Sequence, residues 1–240
     1  MAEGAYLAAR VDQVRRAGAH GVTLELDLRL AADPGQFVMV WLPRVDEKPF
    51  SLVDGDPVAL TIVQVGPFTA RLQGVRAGDT LFLRGPLGKG YSLAGERPLL
   101  VGGGSGVASL AFLARRLAEA GRPVTVAVGA RTASDLLLVD RLAAAGARVL
   151  VSTDDGSAGE RGLVTALAER LLAAGQHDYV YACGPAPMLG RVEELCRSWG
   201  VPGEVSREAY MRCGSGLCGS CDRGDGQLVC RDGPVFRIGL

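Results

Sequence analysis

Near residue 96 the hydrophobic period of this 240-residue chain changes, and that shift limits the possible fold more than any other feature. Before it, Val22, Leu24, Leu26 and Leu28 alternate with Thr23, Glu25, Asp27 and Arg29, the period of a strand with one face buried. Further strand-like runs cover residues 36–42, 50–53, 58–65 and 81–84, set apart by the turn signals Pro34-Gly35, Asp54-Gly55-Asp56 and Ala77-Gly78-Asp79. Many short strands joined by tight turns predict a small antiparallel β-barrel. After the shift, strand and helix alternate: 99–101 then 107–120, 124–128 then 136–145, 149–152 then 163–174, 179–183 then 187–199. That pattern predicts a doubly wound parallel α/β layer. In its first helix Leu110, Leu113 and Leu117 share a face, with Arg115, Arg116 and Glu119 turned away, so the apolar side is expected to meet the sheet. The chain therefore reads as multi-domain, β followed by α/β, with segments 1–95, 96–205 and 206–240.

Composition sets limits on partners. The 26 basic and 26 acidic residues cancel, and no dense Lys/Arg run occurs, so no nucleic-acid surface is expected. Residues 1–10 lack a charged stretch followed by an apolar one, and no apolar run reaches membrane-spanning length, so a cytoplasmic chain with no membrane segment is expected.

The third segment is distinguished by Cys213, Cys218, Cys221 and Cys230, spaced C-x4-C-x2-C-x8-C. The first three follow the plant-type [2Fe-2S] spacing. Gly214, Ser215, Gly216, Gly219 and Ser220 keep the loop small, so backbone N–H groups can approach the sulfurs. A structural zinc also takes four thiolates, but usually from two C-x2-C pairs, and only Cys218 and Cys221 form one here; disulfides are the remaining alternative.

A second signal is Gly102-Gly103-Gly104-Ser105-Gly106 at the first strand-to-helix turn of the α/β half. Such a turn brings backbone N–H groups and a helix N-terminus onto a phosphate, although a tight structural turn needs glycine as well. The last strand ends in Cys183-Gly184-Pro185-Ala186-Pro187-Met188, at the same edge, where open α/β sheets bind ligands. Cys183 reads either as a buried small side chain or as the lining of a nicotinamide pocket, and Cys196 as core packing. His20 and His177 are the only histidines, and both read as surface or satisfied side chains. Arg131, after the second α/β strand, stands where it could meet a 2′-phosphate or solvent, so NAD and NADP both stay open.

In order, Lys48-Pro49-Phe50-Ser51, Gly85-Pro86-Leu87-Gly88, the glycine turn and Cys-Gly-Pro-x-Pro-Met resemble the ferredoxin reductase superfamily of flavin and nicotinamide enzymes. With the cysteine loop added, the chain is similar to the iron-sulfur electron-transfer subunits of NAD-dependent dihydroorotate dehydrogenases. Three further segments carry that resemblance: Gly-Pro-Leu-Gly-x-Gly-Phe at 85–91, where this chain has Tyr91, Thr-Asp-Asp-Gly-Ser at 153–157, and Glu-x-x-Met-x-Cys at Glu208, Met211 and Cys213. The resemblance implies an oxidoreductase subunit of pyrimidine biosynthesis with an FAD-binding antiparallel barrel, an NAD-binding α/β domain and a small [2Fe-2S] loop domain. It implies no catalytic acid or base; a catalytic dihydroorotate dehydrogenase partner, in a heterotetramer, would supply the electrons. FAD contacts are expected at Lys48, Pro49, Phe50, Ser51, Ile62, Val63, Gln64, Phe68 and Thr69. Nicotinamide contacts are expected at Gly102, Gly103, Gly104, Gly106, Gly184 and Pro185, and cluster ligands at Cys213, Cys218, Cys221 and Cys230.

Departures from the family pattern gather at the flavin. Lys48 replaces an arginine, which keeps the charge but loses the bidentate fork, so weaker FAD binding is expected. The segment from Ile62 to Thr69 lacks the family's aromatic and basic contacts and carries Phe68 in place of a glycine. Ser109 stands where a proline is common, and the interval from Cys221 to Cys230 is short, which is expected to expose the cluster more. Two other functions remain open: a related small subunit serving a ferredoxin-linked NADPH oxidoreductase, a sulfide dehydrogenase or a hydrogenase, and a non-enzymatic metal-binding sensor that has lost flavin.

Overall fold

The structure, a computed structural model, describes residues 5–239. Residues 1–4 and 240, at the outer ends of the expected barrel and cluster segments, lie outside the described residues. Two compact units form: the chain up to Gly90 with Glu208–Pro234, and Tyr91–Arg207 with the chain from Val235 onward.

In the first unit, β1 (Leu7–Ala17), β2 (Gly21–Leu26), β3 (Phe37–Leu42), β4 (Asp46–Gly55), β5 (Val58–Val63) and β6 (Thr80–Leu87) close an antiparallel barrel in the order β1-β2-β5-β4-β3-β6. Closure removes sheet edges, and the inward side chains, among them Val11, Leu24, Leu26, Leu52, Leu60 and Leu83, are fully buried. The alternation in β2 is imperfect: Thr23 is buried and its hydroxyl meets that of Thr61 on β5 at 2.9 Å, while Leu28 lies past the strand's end. The sequence pattern missed β1 because only Ala9, Val11 and Ala17 of its eleven residues are buried. The run expected over 58–65 stops at Val63, and a short helix, α1 (Pro67–Gln73), follows. Pro67 opens that helix, and Thr69 Oγ1 accepts the N–H groups of Val65 and Gly66 at 2.9 and 3.0 Å.

The second unit holds β7 (Pro98–Gly103), α2 (Val107–Glu119), β8 (Thr125–Ala130), α3 (Val139–Ala144), β9 (Arg148–Thr153), β10 (Glu160–Arg161), α4 (Val164–Ala173), β11 (Tyr179–Cys183), α5 (Ala186–Trp199), β12 (Gly203–Ser206) and β13 (Val235–Arg237). Strand order is β10-β9-β8-β7-β11-β12-β13, parallel except for β13. The chain winds outward from β7 through β8 to β9, then returns to β11 on the other side of β7. The topological switch point therefore falls between β7 and β11, where this architecture binds ligands at the C-terminal strand ends. Leu110, Leu113 and Leu117 of α2 are fully buried, and Arg115 and Arg116 pair with Glu119 outside. The helix expected over 136–145 is shorter, because Leu136 is extended and Leu138 takes the left-handed region (φ 58°) before α3 begins. Strands β12 and β13, of four and three residues, gave too short a pattern to be read. No helix among the described residues is long and apolar enough to cross a membrane.

Side chains from β11 and β12 hold the segment that feeds β7. The fully buried Tyr181 accepts the Ala94 N–H at 2.8 Å, and its hydroxyl lies 2.8 Å from the Ser92 carbonyl. Glu204 accepts the Ser92 N–H at 2.9 Å, and Asp178 accepts those of Glu96 and Arg97. Burial raises the Tyr181 phenol to about 12, so it stays a donor at ordinary pH. Removing its hydroxyl leaves the partly buried Ala94 N–H without this partner, a loss of about 1 kcal/mol. Tyr181→Phe should therefore lower the urea midpoint without changing the slope of the transition, and an unchanged midpoint would contradict the latch.

Candidate cofactor sites

The four predicted ligand cysteines come together in the first unit as two pairs. Cys213 and Cys218 influence each other's titration as close neighbours, and so do Cys230 and Cys221. The pairs differ in exposure: Cys221 and Cys230 are each 2% exposed, whereas Cys218 is open to solvent. Backbone N–H groups turn toward the sulfurs, as the small loop residues allow. Ser215 and Leu217 each donate to Cys213 Sγ at 3.4 Å, Gly216 to Cys230 Sγ at 3.2 Å, and Cys230 to Cys221 Sγ at 3.4 Å.

Thiol chemistry follows from those surroundings. Burial acts to raise Cys213, but the N–H groups of Ser215, Cys218 and Leu217 outweigh it and hold the thiol down, at about 5. Ser220 lowers Cys218 through its hydroxyl. Burial, followed by the adjoining Cys221 thiol, pushes Cys230 up to about 12. A two-iron diamond takes two thiolates at each iron and accepts inward N–H bonds on its sulfurs, so two thiol pairs within an N–H-lined loop suit it.

The loop is fastened to the barrel. Gly214 (φ +67°) lies so close to β3 and β6 that a Cβ there would sit 3.0 Å from Met39 Cγ and 3.2 Å from Leu87 Cδ1. Arg84 on β6 donates to the Cys213 carbonyl at 2.6 Å and to both carboxylate oxygens of Glu47 at 2.6 and 2.7 Å. Sequence reading singled out neither Arg84 nor Glu47, since an isolated charge in a strand reads as a solvated side chain.

The expected flavin contacts separate into two groups. Lys48, Pro49, Phe50 and Ser51 are all partly exposed on β4. Lys48 pairs with Asp46 at 2.6 Å, which lowers the Asp46 carboxyl, and lies 5.3 Å from the Tyr210 ring centre. The Phe50 ring stacks on Phe68 with centroids 6.2 Å apart, bringing β4 and α1 together, and Phe68 is 8% exposed. Ile62 is enclosed in the barrel core, Val63 is half-buried, Gln64 is exposed, and the Thr69 hydroxyl serves the start of α1. Lysine and serine on an accessible strand fit an anionic cofactor, with Lys48 supplying charge but no fork.

At the switch point most of the glycines are required by the protein itself. A Cβ on Gly106 would lie 2.3 Å from the Cys183 carbonyl oxygen, one on Gly102 2.8 Å from Val107, and those on Gly103 and Gly184 2.6 Å from Met188. Gly104 is different, with φ +53° and nothing within 4 Å of a built Cβ. Its open face is the part of the turn that a phosphate could approach. Pro185 precedes α5, and the buried Cys183 ends β11. Tyr91 lies behind the turn, its hydroxyl 3.4 Å from Ser109, while Ser109 donates to the Gly106 carbonyl at 3.2 Å. Cys196 is fully buried in the core, His20 is exposed, and His177 meets the Arg97 carbonyl at 3.2 Å.

Comparison with known proteins agrees with both regions. Residues 208–240 match the iron-sulfur cluster binding domain of dihydroorotate dehydrogenase B, and residues 100–194 the oxidoreductase NAD-binding domain. The chain is 46% identical over 206 residues (85% of the chain, 79% of the relative) to a probable dihydroorotate dehydrogenase B (NAD(+)), electron transfer subunit, of Methanopyrus kandleri. The like-named protein of Methanothermobacter thermautotrophicus is 47% identical over 216 residues (88% and 80%). Among solved structures, a chain of an NADH-dependent reduced ferredoxin-NADP oxidoreductase matches with TM-score 0.86 and 32% identity, covering 98% of this chain and 89% of that one.

The glycine contacts give an ordered expectation. Gly106→Ala drives a methyl into backbone and should destabilise the fold by roughly 1–3 kcal/mol or more. Gly104→Ala meets no atom and should cost only about 1–2 kcal/mol from its left-handed backbone, yet weaken NADH binding more for each kcal/mol lost. Denaturation curves and NADH titrations of the two variants check this; Gly104→Ala binding NADH like the parent would contradict the assignment of the open face.

Proposed function

The chain belongs to the family of dihydroorotate dehydrogenase B electron transfer subunits, and from that premise we propose that it passes electrons from dihydroorotate oxidation in a catalytic partner to NAD+. The single observation that carries this reading is the pair of thiol pairs, with N–H groups directed at Cys213, Cys221 and Cys230. Bound [2Fe-2S], FAD and NAD supply the one- and two-electron chemistry that side chains lack. Dihydroorotate gives up two electrons and two protons in the partner; NAD+ gains two electrons and one proton as a hydride, and the other proton goes to water.

The residues of this chain bind and orient. In this proposal Cys213, Cys218, Cys221 and Cys230 ligate the cluster, and the Cys213 thiol, already low, deprotonates readily for metal. Lys48 and Ser51 face the anionic part of FAD, with Pro49, Phe50, Val63, Gln64, Phe68 and Thr69 shaping the surroundings and Ile62 supporting them from the core. Gly104 opens the nucleotide turn, and Gly102, Gly103, Gly106, Gly184 and Pro185 keep its two halves together. No side chain has to act as acid or base in this proposal. Assignment of FAD to residues 1–95, NAD to 96–205 and the cluster to 206–240 belongs to the same proposal, as do a heterotetramer with the catalytic subunit and a cytoplasmic location.

A second reading is favoured by the match to the ferredoxin-NADP oxidoreductase chain: the same module serving a different partner. Dihydroorotate-dependent NAD+ reduction by the chain recombined with a dihydroorotate dehydrogenase catalytic subunit separates the two. Within that assay, Cys218→Ala should reduce partner-linked turnover by at least ~100-fold, the upper range for a lost metal-site group. NADH-to-dye activity should persist. Coupled turnover at the parental rate would refute the proposed wiring.

A further inference from the structure

Within Glu208–Pro234, the arc around the first two ligands is glycine-rich and open to solvent. Gly214, Gly216, Gly219, Gly224 and Gly226 all have positive φ, and Leu217, Cys218, Gly219 and Ser220 are exposed. Its first ligand, Cys213, is nevertheless held at its carbonyl by a charged group from the barrel wall, Arg84. Arg84 and Glu47 lie on β6 and β4, the two neighbours of β3, with Met39 of β3 paired to Arg84 and Trp41 to Glu47. The ion pair therefore crosses over β3, beside the face of Met39 on which Gly214 rests. Its side chains are only 13% and 16% exposed. Tyr6 adds a hydrogen bond to Glu47 at 3.0 Å, and the Tyr6, Trp41 and Phe82 rings line up with centroids 5.0 and 5.5 Å apart.

Burying such a pair contributes little net stability, because desolvation offsets most of the attraction. Its geometry is more informative. Glu47 takes Nε and Nη2 in a fork, which fixes the guanidinium plane, and Nη2 is then directed at the Cys213 carbonyl. A lysine at this position could not make the fork and the carbonyl bond together. We propose that Arg84, oriented by Glu47, is a positioning residue for the iron-sulfur centre: it fixes the Cys213 backbone so that this thiol and the N–H groups of Ser215 and Leu217 are in place before metal binds. This rests on the reading of the four thiols as cluster ligands.

The test uses the full chain, loaded anaerobically with iron and sulfide, in parental form and as Arg84→Lys, Arg84→Met, Glu47→Gln and Tyr6→Phe. Cluster bleaching by an iron chelator and the EPR spectrum of the dithionite-reduced centre are recorded beside a thermal melt of each variant. Arg84→Lys and Glu47→Gln should fold and lose the cluster at least ~10-fold faster, the usual scale for a group that orients a metal ligand, with broadened EPR lines. Tyr6→Phe, which leaves the fork intact, should match the parent in both. If Arg84→Met does not fold, the Lys and Gln variants carry the result. A parental signal that persists in Arg84→Lys with unchanged bleaching overturns the positioning role alone. A parental protein with no [2Fe-2S] signal overturns the cluster reading and the inference with it.

Discussion

At a few turns of this protein a neighbour lies where a Cβ would stand, and each unit depends on that constraint. In the α/β unit, Gly106 lies against the Cys183 carbonyl, so the turns leaving β7 and β11 pack as one layer at the switch point. In the barrel unit, Gly214 lies on Met39 and Leu87, and Gly216 lies against Arg231 while donating its N–H to Cys230. A methyl at Gly106 would strike backbone, whereas one at Gly214 or Gly216 would crowd a neighbouring side chain. Gly106, Gly214 and Gly216 thus act less as flexible joints than as places where a side chain is kept out.

The same contacts refine what a glycine-rich turn means. The run from Gly102 to Gly106 reads as a phosphate cradle or as a tight structural turn, and its glycines differ in what they face. Gly102, Gly103 and Gly106 face Val107, Met188 and Cys183, whereas Gly104 faces open space. Electrostatics divides the cysteine loop in a comparable way. N–H groups hold Cys213 down and the Ser220 hydroxyl lowers Cys218, whereas burial raises Cys230.

Much of this was legible from residue order. The change of period near residue 96 gave the barrel and the parallel sheet, because fully buried strands and amphipathic helices leave strong patterns. What escaped was weakly patterned or non-local. Strand β1 buries three residues of eleven, α1 is announced only by Pro67 and the Thr69 cap, and β13 joins the sheet from more than thirty residues beyond β11. The cysteine spacing pointed to the cluster site, yet nothing local linked Cys213 to Arg84, 129 residues earlier, or Arg84 to Glu47 across an intervening strand. Long-range polar contacts of this kind have no period and no motif.

The central claim is that one chain holds flavin, cluster and nicotinamide in electronic contact. The most direct measurement is the visible spectrum of anaerobically purified protein during stepwise addition of NADH. Flavin bands over a broad iron-sulfur envelope, both bleaching as NADH is added, is the predicted result. An envelope without flavin bands, unchanged by NADH, would contradict the claim and leave a metal-binding protein that does not carry electrons to NAD.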